Sequence, residues 1–342
     1  MKQIISGICV LLAVFLALCG AGAAAWSPVT VTDADGTQIT IAEYPERIIS
    51  LSPTTTEIIY AIGAGDRLVG DTTYCNYPEA AKSVEKIGEF STINRERIIQ
   101  LSAGPTVVFA NPTNGKDAID YLRQQGLTVI VINPTSVDTI YSSILTMGQA
   151  LGSSAEAESV VAGIQEGIAE ISGKLAGVSE KPTIAHIMDI NPYFVSGSNT
   201  FQDELFQLAG AVNAFAYADG WDAVTLEKLL VADPQIIVTD PGYDMGTGGD
   251  DGMRQAFYQD ARLKTLTAVK NDDVYVIDAD IFDRGGPRVV EALQSLVKIT
   301  HPELFGDAKQ SSNVQQSPGF GIAAVITGLC GAVLLLRRHE KQ

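Results

Sequence analysis

Apolar and polar residues alternate from Val29 to Ile41 on both sides of Asp33-Ala34-Asp35-Gly36, which predicts a β-hairpin. Beyond it the pattern changes. Short apolar runs at Arg47–Leu51, Arg67–Gly70, Thr106–Ala110 and Thr128–Ile132 predict buried strands. Among them, Thr54–Ile62, Glu96–Leu101 and Ala118–Gln125 carry helical spacing, the first stopped by Gly63 and the third by Gly126. Strands and helices in alternation predict a parallel sheet flanked by helices.

A long helical stretch follows, about Val137 to Leu175, with a break expected at Gly152. Val160, Val161, Ile164, Ile168, Ile171 and Leu175 keep helical spacing along it. The α/β rhythm then restarts, with strands at Thr183–Met188, Gln235–Thr239 and Val274–Ile277. Helices are expected at Gln202–Leu208, Thr225–Leu230, Phe257–Thr267 and Pro287–Thr300.

A weak internal repeat relates the two halves. Glu57-Ile58-Ile59-Tyr60-Ala61-Ile62-Gly63 parallels Glu204-Leu205-Phe206-Gln207-Leu208-Ala209-Gly210. Glu96-Arg97-Ile98-Ile99, Pro105 and Val107-Val108 parallel Glu227-Lys228-Leu229-Leu230, Pro234 and Ile236-Ile237-Val238. The same parts in the same order on either side of one long helix predict two lobes with a cleft between them. The expected fold is therefore α/β, two Rossmann-like lobes joined by one long rigid helix. The N-terminal lobe with its leading hairpin covers 26–136, the linking region 137–177 and the C-terminal lobe 178–306.

Both ends carry address segments. Lys2, the apolar core Ile4–Leu18 and Ala23-Ala24-Ala25 mark residues 1–25 as an export signal cleaved before Trp26. Lipidation at Cys19 and an uncleaved anchor helix are the alternatives. A linker at 307–318 leads to an apolar segment at 319–336 and a basic tail at 337–342 with Arg337, Arg338 and Lys341. As a helix the apolar segment would extend ~27 Å, enough to cross a hydrocarbon core, with the basic residues cytoplasmic. Pro318-Gly319-Phe320, the apolar span and the basic end together resemble the PGF-CTERM sorting signal of archaeal surface proteins. In that family the span is removed and the new end is lipid-linked. Whether the span is retained or replaced, the expectation is an exported protein tethered through its C-terminus at the outer face of the cell membrane.

The net charge of −17 and the lack of a basic patch argue against nucleic acid as a partner. Of the four cysteines, Cys9 and Cys19 lie in the N-terminal apolar run and Cys330 in the C-terminal one. Only Cys75 remains for the folded body, so no intrachain disulfide is expected there. The three histidines, His186, His301 and His339, do not cluster in sequence, and no metal site is expected from them. No G-x-S-x-G and no convincing Ser-His-Asp set occurs. The strongest case for an enzyme, Asp189 with His186 as a surface hydrolase, lies on or beside a buried strand.

The residues then point to a family. Arg47-Ile48-Ile49-Ser50-Leu51-Ser52-Pro53-Thr54-Thr55-Thr56-Glu57, Gly63-Ala64-Gly65-Asp66-Arg67-Leu68-Val69-Gly70 and Tyr74-Cys75-Asn76-Tyr77-Pro78 resemble the opening of cobalamin- and iron-siderophore-type substrate-binding proteins of ABC importers. Asn191-Pro192-Tyr193-Phe194, Ser196-Gly197, Gly220-Trp221 and Ala268 through Tyr275 continue the resemblance. Phe282-Asp283-Arg284-Gly285-Gly286-Pro287-Arg288 and His301-Pro302-Glu303 close it, so that it covers Val29 to Phe305.

The resemblance implies a helical-backbone binding-protein fold, no catalytic residues, no resident cofactor and a monomer. Its small-molecule ligand would be a corrinoid or ferric chelate, and its macromolecular partner an ABC permease with its ATPase. Glu96 and Glu227 match the acidic residues, one per lobe, that dock on permease arginines. Their other reading is simple stabilisation of a helix N-terminus. Ser52, Pro53, Thr54 and Thr55 match a cleft loop. Tyr74 and Phe90 match the first-lobe wall, with Phe90 standing where a Trp is usual. Phe194, Trp221, Phe282 and Arg284 match the second-lobe wall. For each aromatic the alternative is core packing, and for Arg284 it is pairing with Asp283. Function within this reading is capture of a corrinoid, with a ferric siderophore or haem next. A surface binder of haem or another metal chelate, uncoupled from transport, is the alternative.

Overall fold

The computed structural model describes residues 26–240 and 250–305. The predicted export signal, most of the linker, the apolar span and the basic tail lie outside them. Among the described residues no helix is long and apolar enough to cross a membrane.

Strands β1 (Val29–Thr32) and β2 (Gln38–Ile41) form the expected antiparallel hairpin, with Val29 opposite Ile41. Asp33 holds its turn by accepting the amides of Asp35 and Thr37. The same carboxylate accepts Arg123 Nη2 at 2.7 Å and the Val131 amide, which pins the hairpin to the first lobe.

The first lobe is a sheet of four parallel strands in the order β4-β3-β5-β6. Here β3 is Arg47–Ser50, β4 Leu68–Gly70, β5 Thr106–Ala110 and β6 Thr128–Val131. The second lobe repeats that order. Strands β9 (Val212–Asn213), β7 (Thr183–Ile190), β11 (Ile236–Thr239) and β12 (Val274–Val276) lie side by side and parallel. Strand for strand, β9, β7, β11 and β12 correspond to β4, β3, β5 and β6.

Three strands were not legible in the hydrophobic pattern, β9 among them with only two residues. β8 (Tyr193–Ser196) pairs antiparallel with β7, and β10 (Trp221–Val224) pairs antiparallel with β8. Neither Tyr193-Phe194-Val195-Ser196 nor Trp221-Asp222-Ala223-Val224 alternates cleanly between apolar and polar residues. The second sheet is thus mixed, not parallel throughout. The helix expected at Phe257–Thr267 is also corrected. The chain forms a helix at Asp250–Gln259, a 3₁₀ turn at Leu263–Thr265 and a short helix at Thr267–Lys270. Asp260 takes the Arg262 amide and guanidinium, a local bond that competes with continued helix.

The linking region is two helices, Val137–Leu151 and Ser154–Leu175, separated at Gly152 with φ of 71°, a left-handed value that suits glycine. The 22-residue second helix is ~33 Å long. Its buried face is Ala157, Val161, Ile164 and Ile171. Glycines bring two neighbours close to it: a Cβ on Gly148 would stand 2.3 Å from Ala157 Cβ, and one on Gly167 would stand 2.8 Å from Val290. Helix Val289–Thr300 packs on this rod and on helix Phe201–Leu208. One apolar cluster therefore runs from Ile48 and Phe109 of the first lobe, through Ile144 and Ile164 of the linking helices, to Phe206, Phe282 and Leu293 of the second. Separate clusters fill the outer part of each lobe.

Candidate functional site

In open α/β sheets the C-terminal strand ends are where loops converge and ligands bind. In the first lobe, β3 leads through Leu51 into Ser52, which caps helix Pro53–Ala61 by accepting the Thr55 amide at 3.2 Å. The Thr55 hydroxyl lies 2.7 Å from Ser50 Oγ and 2.9 Å from Ser52 Oγ. Thr56 Oγ1 lies 2.7 Å from Ser50 Oγ and 3.1 Å from Cys75 Sγ. This is a neutral, self-satisfied hydroxyl network. Thr55 is fully buried, so its hydroxyl serves the cap and not the cleft, and Ser52 and Pro53 are buried with it. Thr54 is half-buried and lies beside Gly286 of the second lobe. Cys75 is a buried free thiol whose pKa burial pushes up, which makes it a poor nucleophile.

Tyr74 and Phe90 are half-buried and meet edge to face, ring centroids 5.8 Å apart. On the second lobe Phe194 of β8 and Trp221 of β10 stack, 5.5 Å apart and within 10° of parallel. Trp221 is 38% exposed. Phe282 differs. It is fully buried against His186 and Phe206, so it supports the wall from behind and does not line it.

The segment after β12 reaches across to the first lobe. Arg284 Nη1 reaches Glu57 Oε1 at 3.2 Å and Asn76 Oδ1 at 2.8 Å, and Arg284 Nη2 pairs with Asp280 at 2.5 Å. Arg288 binds both Glu57 oxygens, at 2.8 and 2.7 Å. Arg284 and Glu57 are each 4% exposed. Arg284 thus joins the lobes through Glu57 and Asn76, contacts that its reading as a ligand or Asp283 partner did not include. Glu57 and Asn76 were missed as partners because they lie more than two hundred positions from Arg284 and Arg288 in sequence.

A second group emerges that sequence spacing hid. His186 of β7 and Asp240, which directly follows β11, are fully buried, and His186 Nε2 is hydrogen-bonded to Asp240 Oδ2. Asp283 joins them: the three side chains offer donor atoms all within 4.8 Å of one another. Asp283 Oδ1 accepts Gln202 Nε2 at 2.9 Å. Burial pushes its carboxyl up to about 6, against the pull of nearby His186. The imidazole ring sits 5.5 Å from Trp221, so the group lies directly behind the exposed wall.

Glu96 and Glu227 occupy the same place in each lobe, the second residue of helices Arg95–Leu101 and Leu226–Ala232. Both are exposed. Backbone and Thr225 hydroxyl bonds hold the Glu227 carboxyl below its usual value.

Residues 48–281 match the model of the periplasmic binding protein family. The chain belongs to that family. This periplasmic binding protein is 32% identical to an ABC transporter substrate-binding lipoprotein of Bacillus subtilis, over 81% of this chain and 87% of the relative. Its fold matches the periplasmic vitamin B12 binding protein of Vibrio cholerae with a TM-score of 0.62 at 28% identity, over 74% of this chain and 96% of that one. A periplasmic heme-binding protein of Roseiflexus sp. RS-1 matches with a TM-score of 0.67 at 26% identity, over 77% and 99%. Residues 317–339 match the PGF-CTERM motif, which implies anchoring of this extracytoplasmic binding protein at the cell surface. The family consists of substrate-binding proteins and not of enzymes, in agreement with the sequence reading.

Proposed function

We propose that this binding protein captures a metal chelate between its lobes and delivers it to an ABC permease. A corrinoid is the first choice, and a ferric siderophore or haem the second. The observation that carries the reading is the pair of aromatic walls, Tyr74–Phe90 on one lobe and Phe194–Trp221 on the other. A broad, partly apolar ligand gains from stacking and edge contacts with such walls. Similarity to a vitamin B12 binding protein and to a heme-binding protein supports the same ligand class.

Titrating the protein with cyanocobalamin, haem and ferric chelates while following Trp221 fluorescence tests this. Saturable quenching by one of them, lost in Trp221→Phe, is expected. A panel without saturable quenching would sink the chelate reading.

Glu96 and Glu227 present one exposed carboxylate per lobe at equivalent helix positions, an arrangement suited to orienting the protein on a two-fold permease. Reversing both charges is expected to abolish uptake and leave ligand affinity unchanged. Unaltered uptake would make the protein a surface binder uncoupled from transport.

A further inference from the structure

We propose that His186, Asp240 and Asp283 form a binding site for one divalent first-row transition metal ion behind the Trp221 wall. The donors come from three separate places, strand β7, the end of β11 and the segment after β12, yet their ligand atoms converge within 4.8 Å. An imidazole with two carboxylates is a donor set that borderline ions such as Zn²⁺ and Co²⁺ accept.

Charge points the same way. Two carboxylates set side by side in the interior are costly unless something positive joins them. A divalent ion would balance both carboxylates.

A second observation is independent of the carboxylates. His186 Nδ1 and Ser196 Oγ are buried side-chain atoms without a hydrogen-bond partner, and both residues are fully buried. Ser196 follows Val195, which pairs with Ile187, and is itself opposite Trp221. His186 and Ser196 therefore sit at neighbouring positions of β7 and β8, under the same indole. Polar atoms left open in the interior call for a further partner such as an ordered water. An ion held by His186 through Nε2, with a water reaching Ser196, would complete the set. Metal-bound imidazoles regularly use their second nitrogen for such a bond.

Trp221 supplies the reporter, since its ring centroid is 5.5 Å from that of His186. Trp26, the other tryptophan, packs on Tyr44 at the hairpin. The full chain, freed of metal with a chelator, is titrated with CoCl₂ and in parallel with ZnCl₂. One ion per chain is expected, with micromolar or tighter affinity, d–d absorption from Co²⁺, a higher Tm with Zn²⁺, and quenching of Trp221 that Trp221→Phe abolishes. His186→Gln and Asp240→Asn should weaken binding at least 100-fold, while His301→Gln changes nothing. Weak millimolar binding, stoichiometry above one, or quenching that survives Trp221→Phe would overturn the site. So would unchanged affinity in a His186→Gln protein with native circular dichroism. If that variant fails to fold, the wild-type stoichiometry and the Trp221→Phe comparison decide alone. Neither depends on the cleft ligand, so loss of corrinoid binding and loss of metal binding are separate results.

Discussion

At the end of β3 the first lobe buries Ser50, Ser52, Thr55 and Thr56, hydroxyls that satisfy one another. At the corresponding strand ends the second lobe buries His186 and Asp240, with Asp283 beside them. The strand order is the same in both. The second lobe alone adds the antiparallel pair β8 and β10, and that addition carries Trp221 and Phe194. The comparison teaches that strand order and functional chemistry are separable: one repeated scaffold holds a neutral polar plug on one side and an ionic cluster behind an aromatic wall on the other.

The largest expected effect comes from breaking the contact that joins the lobes. Glu57 is the shared acceptor of Arg284 and Arg288. Glu57→Ala would leave two arginines in or near the interior without it, and removing one partner of a buried pair costs ~3–5 kcal/mol. Urea unfolding should show that loss. A loss under 1 kcal/mol would mean that the seam contributes little and the lobes are held by the shared apolar cluster alone.

The next effect concerns the first lobe's own buried carboxyl. Asp71 follows β4 and bonds Lys86 Nζ at 2.7 Å, yet its Oδ2 has no partner. Burial outweighs the lysine and pushes its pKa up to about 7 from an ordinary 3.8. Between those values the folded chain holds a proton that the unfolded chain has lost. The stabilisation linked to that proton is therefore present at low pH and is lost as pH rises from about 4 to about 7. Its full extent is roughly 2–4 kcal/mol. Asp71→Asn lacks this titration, so the stability of the variant relative to wild type should rise across that window. A pH-independent difference would show that Lys86 governs the site.

How much of this was legible in the chain differs between the lobes for physical reasons. The parallel strands of the first lobe are continuous apolar runs bounded by Gly or Pro, and Thr106–Ala110 was placed residue for residue. Glu96 and Glu227 could be matched because each opens a helix in a repeated motif. β8 and β10 escaped because Tyr193-Phe194-Val195-Ser196 and Trp221-Asp222-Ala223-Val224 lack clean alternation, and β9 because it has two residues; with β8 and β10 went the mixed character of the second sheet. Thr55 and Phe282 were expected at the cleft because the family motif contains them, but a motif does not say which side of a cap or strand end faces inward. His186, Asp240 and Asp283 gave no spacing signal, since three separate elements bring them together. The one available hint was a histidine within the apolar run Ile184-Ala185-His186-Ile187.

The walls offer a smaller, ligand-dependent contrast. Trp221 is the more exposed and belongs to a stacked pair, whereas Tyr74 is half-buried against Phe90. Trp221→Ala should weaken chelate binding about 10-fold and Tyr74→Ala a few-fold, aromatic contacts being worth ~0.5–1.5 kcal/mol beyond their area. Equal losses measured by calorimetry would indicate that the two lobes grip symmetrically.

The finest test sets Glu204 against Glu57, its counterpart in the repeat. Each reaches across the lobe boundary, but to different partners. Glu204 Oε2 accepts the Val137 amide at 2.8 Å, at the start of helix Val137–Leu151, where first-turn amides have no partner within the helix. It bonds one backbone donor and no side-chain cation there, next to a cap that Ser136 and Thr139 already complete. Its removal therefore strands no buried charge. Glu204→Ala should cost ~1 kcal/mol, the usual range for losing such a cap, and Glu204→Gln less, because its amide oxygen can still accept. If Glu204→Ala proved as damaging as Glu57→Ala, the two contacts would be equal anchors. The distinction drawn from their partners, one helix amide against two arginines, would then be lost.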